Sequence, residues 1–308
     1  MPSDDRRIAA VVVTFNRLEM LQRLVKVLAD VPGLDEVLVV DNASTDGTGE
    51  WLAGLPDEYG GRVTGRTLPR NTGGAGGFHD GLAWAVERGA DLAWLMDDDG
   101  TPEHGCLDRL LAHEGDLDFW GPVVIDRADP ERLVFPIRLP GGARVVHAMD
   151  DVRRAAVDGL IRGIVIPFNG VLVTRGLVER IGLPRAEFFI WGDDHEYRLR
   201  AERAGARIAT AVDARVQHPS VGALGTPMAF GRTTYNDTPS DLKHYCMARN
   251  NLVNLREYGG TLHALAFVAK TLWFYTFTRR DPGRIRLSLG AWRDALRGDF
   301  TGHERFLQ

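Results

Sequence analysis

The sequence predicts an α/β fold: an open, mostly parallel sheet flanked by helices, with a C-terminal helical extension. Apolar runs of strand length alternate with helical patterns through the first hundred residues, which is typical of a parallel sheet wrapped by helices. The chain of 308 residues is long enough for one large domain or two smaller ones. Its 44% hydrophobic and 26% charged residues are ordinary globular usage.

Each element follows from its local pattern. Continuous apolar runs predict buried strands, and apolar residues three or four apart predict helices. The predicted strands cover residues 7–14, 37–40, 63–68, 92–96, 163–174 and 208–216. The predicted helices cover residues 18–28, 48–55, 78–88 and 193–205. A loop is predicted at 221–240, and the chain after Asp241 is predicted to be helical to its end.

Four polar clusters accompany the predicted strands of the first hundred residues. Ligands in open parallel sheets bind at the carboxyl ends of the strands, so these clusters mark the predicted ligand edge. The clusters are residues 14–17, 41–46, 71–77 and 97–99.

Composition excludes several classes of protein. Two cysteines, Cys106 and Cys246, cannot build a disulfide framework or a four-thiolate zinc site. A net charge of −5 gives no basic footprint for nucleic acid. There is no run of 18 uncharged apolar residues that would predict a transmembrane helix, and the N-terminus lacks the apolar core of a signal peptide.

Asp97, Asp98 and Asp99 form an acidic triplet after a predicted strand. Three adjacent carboxylates repel one another, and a bound cation relieves that repulsion. Side chains two residues apart point the same way from an extended chain, so Asp97 and Asp99 can share one metal ion. The alternative is a solvated acidic turn before a helix. The strand-end position beside other polar clusters favours the metal site.

The segment NTGGAGG at 71–77 places four glycines before a helix. Such a loop lets backbone N–H groups approach a ligand closely, and a flexible surface loop is the alternative. It matches neither the Walker loop nor GxGxxG. His218 also ends a predicted strand, which makes it the best-placed histidine for a metal ligand, with a structural role as the alternative.

A second acidic cluster, residues 193–196, follows the aromatic segment at 188–191. Carboxylates in the first turn of a helix are favoured by the helix dipole, which can explain one of them. Two adjacent carboxylates against an apolar wall also suit a general base whose pKa is raised by burial.

Together these segments resemble the inverting nucleotide-sugar glycosyltransferases of family 2, which have the GT-A fold. Their order and spacing over most of residues 8–256 carry the resemblance, because each segment alone is weak. The segments are VVVTFNR (11–17), VDNASTDGT (40–48), RNTGGAGGF (70–78), WLMDDDGTPE (94–103), NGVLVTR (169–175), FFIWGDDHEYRLRAERAG (188–205), QH (217–218) and YCMARNN (245–251).

The resemblance implies a role for each matching residue. A UDP-sugar donor is implied at Thr14, Phe15, Arg17, Asp41, Asn42, Asn71, Gly73, Gly74, Asp97, Asp98 and Arg249. A Mn²⁺ or Mg²⁺ ion is implied at Asp97, Asp99 and His218. Acceptor contacts are implied at Trp191, Gly192, Asp193 and Asn169. The catalytic base is implied at Asp194, with Asp193 as the alternative because Gly192 separates Trp191 from the acidic pair.

Within the family, the motifs look most like the galactofuranosyltransferases of actinobacterial cell-wall galactan synthesis, and the short chain looks like the initiating enzyme. This implies transfer of galactofuranose from UDP-galactofuranose to a rhamnosyl-GlcNAc-diphospho-polyprenyl lipid. One alternative is a rhamnosyltransferase that uses dTDP-rhamnose. Another is a non-catalytic nucleotide-sugar-binding scaffold, which the complete set of acidic motifs disfavours. A nucleotidyltransferase would carry a glycine-rich basic loop where this chain has TFNR.

The predicted domains are a GT-A catalytic domain over residues 1–255 and the helical extension over residues 256–308. Residues 261–308 carry a net charge of +4, which leaves −9 for the rest of the chain. An apolar stretch at 262–278 followed by arginines suits an interfacial helix pair on the anionic inner leaflet, which predicts a cytoplasmic enzyme at the inner face of the cell membrane. The alternative is simple packing of these helices with solvated arginines. The sequence leaves a homo-oligomer open.

Overall fold

A computed structural model describes residues 6–142, 144–166, 168–222, 225–231 and 233–307, apart from the side chains of residues 56 and 57. It confirms the predicted α/β class, because a mostly parallel sheet is flanked by helices and the C-terminal part is helical. The chain forms two compact units. Unit 1 comprises Met1–Pro184 and Tyr197–Ser220, and unit 2 comprises Arg185–Glu196 and Val221–Gln308.

The strands are β1 (Ile8–Thr14), β2 (Glu36–Asp41), β3 (Val63–Thr67), β4 (Leu92–Asp97), β5 (Thr101–Pro102), β6 (Phe119–Asp126), β7 (Arg132–Arg138), β8 (Val145–Ala148), β9 (Leu160–Arg162), β10 (Asn169–Thr174), β11 (Ile208–His218), β12 (Thr226–Met228) and β13 (Thr233–Tyr235). The α-helices are α1 (Leu18–Ala29), α2 (Thr48–Glu58), α3 (Gly73–Glu87), α4 (Cys106–Leu111), α5 (Met149–Ala155), α6 (Arg175–Ile181), α7 (Asp193–Arg203), α8 (Asp241–Asn254), α9 (Thr261–Trp273) and α10 (Pro282–Arg297). Single π-helical turns, Leu255–Gly259 and Phe274–Thr278, follow α8 and α9.

The central sheet has the strand order β3-β2-β1-β4-β10-β6-β11-β5. Strands β1, β2, β3 and β4 run parallel, β10 is antiparallel to both β4 and β6, and β11 runs parallel to β6. The carboxyl ends of the parallel strands therefore share one edge with the start of β10. Thr14, Asp41, Asp97 and His218 end their strands at this edge, and Asn169 begins β10 there.

Helices cover both faces of β1, whose seven residues are all buried. Helix α1 packs Leu21, Leu24 and Leu28 on one face. Helix α3 covers the other face at close range, because a Cβ at Gly77 or Gly81 would lie only 2.4 Å from a methyl group of β1. These glycines therefore serve helix-on-sheet packing.

The glycine-rich segment differs from its predicted form. Helix α3 begins at Gly73, so most of the predicted loop at 71–77 is the first turn of the helix. Gly73 has a φ of 70°, a left-handed conformation that glycine adopts without strain.

Unit 2 has a core of its own, in which helices α8, α9 and α10 pack together with the segment before α7. Tyr245, Leu252, Ala264 and Trp292 lie in this core. The predicted domain boundary after residue 255 falls inside unit 2, within the π-helical turn Leu255–Gly259 that continues α8. The predicted loop at 221–240 also contains the β12–β13 ladder.

In the part of the chain that the structure describes, no helix is both long and apolar enough to cross a bilayer.

Candidate active site

The acidic triplet lies at the carboxyl edge of the sheet in unit 1. Asp98 is buried, and it accepts hydrogen bonds from the Thr14 hydroxyl at 2.7 Å and from Arg17 Nη1 at 2.9 Å. The same Nη1 donates to Asp99 Oδ2 at 2.7 Å. Asp99 Oδ1 lies 3.1 Å from His218 Nε2. The structure thus brings together five side chains that the sequence assigned to the donor or the metal.

The charges of this cluster shift the pKa values of its members. Burial raises the pKa of Asp98 in spite of the hydrogen bonds from Thr14 and Arg17. Burial also acts to raise the pKa of Asp99, but His218 and Arg17 outweigh it, so that pKa is lowered. Burial acts to lower the pKa of His218, and Asp99 outweighs it, so that pKa is raised. Asp99 and His218 therefore stabilise each other in their charged forms.

The Asp99–His218 pair fits the predicted divalent cation. His218 Nδ1 lies 2.7 Å from the carbonyl oxygen of Pro219, so a neutral ring that donates there turns the lone pair of Nε2 toward Asp99. Two acceptor atoms 3.1 Å apart need a shared proton or a shared cation. Adjacent ligands at about 2.1 Å from one octahedral ion are about 3 Å apart.

A fuller set of protein ligands is not found in the described part of the chain, where no three His, Cys, Asp or Glu side chains are grouped for a metal. Mg²⁺-type sites commonly use one or two carboxylates and complete their coordination with water and substrate phosphates, so two ligands suffice. Asp97 ends β4 and its backbone N–H donates to the carbonyl of Phe168 at 3.2 Å. Its place in the metal site stays a prediction.

The end of β2 supplies a carboxylate and an amide to the same edge. Asn42 ties β2 to the start of α3, since its Nδ2 donates to the Gly73 carbonyl at 3.0 Å and its Oδ1 accepts from the Thr72 hydroxyl at 2.9 Å. Asp41 is fully buried, and its Oδ1 accepts from the Ser44 N–H at 3.0 Å. Asp41 Oδ2 has no hydrogen-bond partner among the described residues, which leaves acceptor capacity there.

The turn after β1 presents Phe15 and Arg17, both partly exposed. Asn16 between them has a φ of 52° and is held by the loop after β2. Its N–H donates to the Ser44 hydroxyl at 2.8 Å, and its Oδ1 accepts from the Thr45 N–H at 2.7 Å. Left-handed backbone at a residue other than glycine clusters at functional sites, which agrees with a ligand edge here.

The remaining predicted residues of this edge lie near the start of α3 and β10. Asn71 Oδ1 accepts from the Gly73 N–H at 2.8 Å, so Asn71 shapes the start of the helix. A Cβ at Gly74 would meet nothing within 4 Å, so open space surrounds this position. Asn169 is almost fully buried and pairs with Met96 of β4. Their predicted ligand contacts remain predictions.

The second acidic cluster forms the first turn of α7 in unit 2. Asp193 and Glu196 are buried, whereas Asp194 is half-buried. Burial, followed by the charge of Asp194, raises the pKa of Asp193. Asp194 Oδ1 accepts a hydrogen bond from the His195 N–H at 2.6 Å. A half-buried carboxylate can meet an incoming hydroxyl, so exposure favours Asp194 over Asp193 as the base.

The backbone just before α7 is held in left-handed conformations. Phe189, Trp191 and Gly192 have φ angles of 65°, 71° and 88°. The Trp191 side chain is 39% exposed although its neighbours Phe188 and Phe189 are buried. The segment therefore turns one large aromatic ring to the surface directly beside the acidic pair.

Arg249, which the resemblance implied at the donor, has a side chain that is fully buried in unit 2. Its Nη2 donates to the carbonyl of Phe188 at 2.9 Å and its Nη1 to that of Phe300 at 2.8 Å. These contacts assign Arg249 to support of the segment before α7.

Asn250 and Asn254 were not among the predicted site residues, although their side chains bind the same segment. Two amides four residues apart on a predicted helix share one face, and that spacing was the available signal. It does not show which chain segment the face contacts, because that depends on the tertiary fold.

A mostly parallel sheet with an acidic triplet at its carboxyl edge, together with an acidic pair on a separate helix, defines a glycosyltransferase of the GT-A class. The chain belongs to glycosyl transferase family 2, whose family model matches residues 9–131. It is 35% identical over 284 residues to the galactofuranosyltransferase GlfT1 of Mycobacterium tuberculosis, an alignment that covers 89% of this chain and 90% of that protein.

Two solved structures share the fold. GalNAc-T7 with UDP, GalNAc and Mn²⁺ superposes with a TM-score of 0.59 at 13% identity, covering 82% of this chain and 48% of that one. The mannosyltransferase PcManGT of Pyrobaculum calidifontis with GDP-Man and Mn²⁺ gives a TM-score of 0.53 at 16% identity, covering 98% of this chain and 78% of that one. At such identities the likeness shows the fold alone.

Proposed function

We propose that this enzyme transfers galactofuranose from UDP-galactofuranose to a rhamnosyl-GlcNAc-diphospho-polyprenyl lipid in cell-wall galactan synthesis. The observation that carries the proposal is the 35% identity, over 89% of the chain, to a galactofuranosyltransferase. The geometry supports it with a polar sheet edge in unit 1 and, in unit 2, a half-buried carboxylate with an exposed aromatic neighbour.

Donor binding is assigned to unit 1. Asp98 fixes Arg17 and Thr14 at the carboxyl edge, and Asp41 offers acceptor capacity to the N–H and hydroxyl groups of a nucleoside. Asp99 and His218 would hold Mn²⁺ or Mg²⁺, which when bound supplies Lewis-acid stabilisation of the departing diphosphate. The Mn²⁺ bound in GalNAc-T7 and PcManGT supports a divalent cation here.

Proton removal is assigned to Asp194 in unit 2. Its carboxylate takes the proton of the acceptor hydroxyl as that oxygen bonds to the anomeric carbon of the sugar. The bond from that carbon to the UDP oxygen breaks at the same time, and UDP leaves with the electron pair. One displacement of this kind inverts the anomeric configuration.

A donor panel tests the proposal directly. Purified enzyme is incubated with a synthetic rhamnosyl-GlcNAc-diphospho-polyprenyl acceptor and, separately, UDP-galactofuranose, UDP-galactopyranose and dTDP-rhamnose, and products are detected by mass. We expect a product only from UDP-galactofuranose. Transfer from dTDP-rhamnose alone would identify a rhamnosyltransferase instead, and no transfer from any donor would overturn the catalytic assignment.

Trp191 is proposed to stack on the acceptor sugar. An exposed indole held rigidly beside the base offers an apolar face to a sugar ring, and truncation of such an aromatic contact commonly weakens binding about tenfold or more. We expect Trp191→Ala to raise the KM for the acceptor about tenfold and to leave the KM for the donor unchanged. Steady-state kinetics with each substrate varied measure both constants.

Trp191→Phe is the matched control, because it keeps an aromatic face. It is expected to restore most of the affinity for the acceptor. Equal acceptor KM values for the wild type and the alanine variant would contradict the stacking role.

Contact with the anionic inner leaflet is proposed for the C-terminal helices of unit 2. On α9 the exposed side chains Leu262, Leu265 and Trp273 lie on one helical face. Along α10 the exposed leucines Leu289 and Leu296 share a face with arginines 286, 293 and 297. Exposed apolar residues beside arginines are typical of helices that lie at a membrane surface.

Flotation with liposomes measures this contact. The double change Leu262→Ser and Leu265→Ser is expected to weaken binding to anionic vesicles at least about tenfold, because both side chains are more than half exposed and would lose their burial in lipid. Val157→Ser, at a position 70% exposed in unit 1, is the control and is expected to float like the wild type. Unchanged flotation of the double variant would exclude this surface.

A further inference from the structure

A segment with strained backbone leads directly into the proposed base. Phe189 and Trp191 adopt positive φ angles of 65° and 71°, and Gly192 follows with 88°. A backbone of this kind persists only where its surroundings hold it in place. Asp194 is only two residues beyond Gly192, so whatever holds the segment also sets the place of Asp194.

Two asparagines of α8 hold this segment through its carbonyl groups. Asn250 Nδ2 lies within hydrogen-bond distance of the carbonyl oxygens of Phe188 at 3.0 Å, Ile190 at 3.1 Å and Trp191 at 2.8 Å, so its two N–H groups are shared among three acceptors. Asn254, one helical turn later, donates from Nδ2 to the carbonyl of Gly192 at 2.9 Å. Both asparagines are almost completely buried, so water does not compete for these bonds.

The neighbouring arginine orients the first asparagine. Arg249 Nε donates to Asn250 Oδ1 at 2.9 Å, which leaves the amide nitrogen directed at the carbonyls. Arg249 also donates to the carbonyl of Phe188. Both the oxygen and the nitrogen of the Asn250 amide therefore have hydrogen-bond partners. The charge-assisted hydrogen bond from Arg249 fixes the orientation of the amide.

The bond from Asn254 determines where α7 begins. The carbonyl of Gly192 accepts from Asn254 and also from the Glu196 N–H at 2.9 Å, which is the first hydrogen bond of the helix. A Cβ at Gly192 would lie 3.4 Å from Asn254 Nδ2 and 3.5 Å from Asn250 Cβ, so the backbone sits directly on the two asparagines. The first turn of α7, with Asp193 and Asp194, starts from this fixed point.

We infer that Asn250 and Asn254 are positioning residues, which set the location of Asp194 for proton removal without touching either substrate. This inference rests on the proposed role of Asp194 as the base. Displacing a catalytic group by about 1 Å costs about 100-fold in rate. Loss of either amide is therefore expected to lower kcat while leaving donor binding intact.

The test compares Asn250→Ala, Asn254→Ala and Asn251→Ala in the full-length enzyme. Asn251 lies between the two on α8, is half-exposed and belongs to neither the segment nor the proposed site. We expect kcat to fall about 10- to 100-fold in the first two variants, with the donor KM within twofold of wild type. Hydrogen exchange is expected to speed up in peptides covering residues 186–196. The control variant is expected to match the wild type in all three measurements.

Asn250→Asp is the second variant, should the alanine change impair folding. It keeps the acceptor for Arg249 but presents an oxygen to three carbonyls, so we expect a loss of kcat at least as large. A kcat within twofold of wild type in Asn250→Ala, or unchanged exchange at 186–196, would overturn the inference. If the wild type uses another donor, the proposed function fails, and the same comparison with that donor still decides the positioning role.

Discussion

Asp194→Asn is expected to lower transfer by about 10²–10⁴-fold, the range typical of a lost general base. The amide keeps the size of the side chain and can still accept from the His195 N–H, but it cannot take the proton of the acceptor hydroxyl. Binding of UDP is expected to stay within twofold of wild type, because the residues proposed to bind the donor lie in unit 1. Product formation and calorimetric titration with UDP measure the two quantities.

Asp193→Asn is the matched control for this prediction. Burial and the adjacent Asp194 raise the pKa of Asp193, so its carboxyl is largely protonated near neutral pH and an amide resembles it. We expect transfer within about tenfold of wild type, far above the Asp194 variant. If Asp193→Asn were the inactive variant and Asp194→Asn retained turnover, the assignment of the base would be reversed.

The raised pKa of Asp193 also predicts that the stability of the protein depends on pH. A carboxyl whose pKa is raised on folding contributes stability that is present below its unfolded pKa and is lost as the pH rises through the folded value. We therefore expect the free energy of unfolding of the wild type to fall relative to Asp193→Asn as the pH rises. Denaturant titrations of both proteins across the pH range measure this difference.

Asp99→Ala is expected to lower transfer at least about 100-fold, since it removes a proposed metal ligand and a partner of Arg17. Chelation of divalent cations with EDTA is expected to abolish transfer by the wild type, and added Mn²⁺ or Mg²⁺ is expected to restore it. The Asp99 variant should need a higher concentration of either ion. Transfer assays with titrated metal measure these effects.

Asp118→Ala is the control for the Asp99 variant. Asp118 also has a lowered pKa, chiefly through its hydrogen bond with Arg207, but it precedes β6 at the opposite edge of the sheet. The Asp118 variant is expected to lose some stability and to keep the metal dependence of the wild type. Full activity of the wild type in EDTA together with a fully active Asp99 variant would remove the metal role.

The sheet was predictable because its strands leave a strong local signal. β1, β2 and β4 are continuous apolar runs, and each is buried on both faces. The polar ends of these strands were predictable for the same reason, since parallel strands bring Asp41 and Asp97 to one edge. The reversal of β10 has no local signal, because an apolar strand of either direction has the same pattern.

Three features were not predictable because they depend on contacts distant in sequence. The segment at 71–77 was predicted as a loop, but helix α3 begins at Gly73, and Gly77 is required by the close approach of α3 to β1. Arg249 resembled a ligand for phosphate, but its partners are the carbonyls of Phe188 and Phe300. The extent of unit 2 left no local signal, because the segment before α7 packs into the core of the C-terminal helices.

The sequence by itself determined the α/β class, the ligand edge of the sheet and the carboxylates that carry the proposed chemistry, because these follow from periodicity and from strand ends. The tertiary structure decided how the carboxylates differ. Asp193 is buried whereas Asp194 is half-buried, and His218 of β11 together with Arg17 lowers the pKa of Asp99. The tertiary structure also showed that the side chains of Asn250 and Asn254 bind the backbone before α7. Such roles depend on which side chains contact one another in the folded protein, and a pattern along the sequence does not specify those contacts.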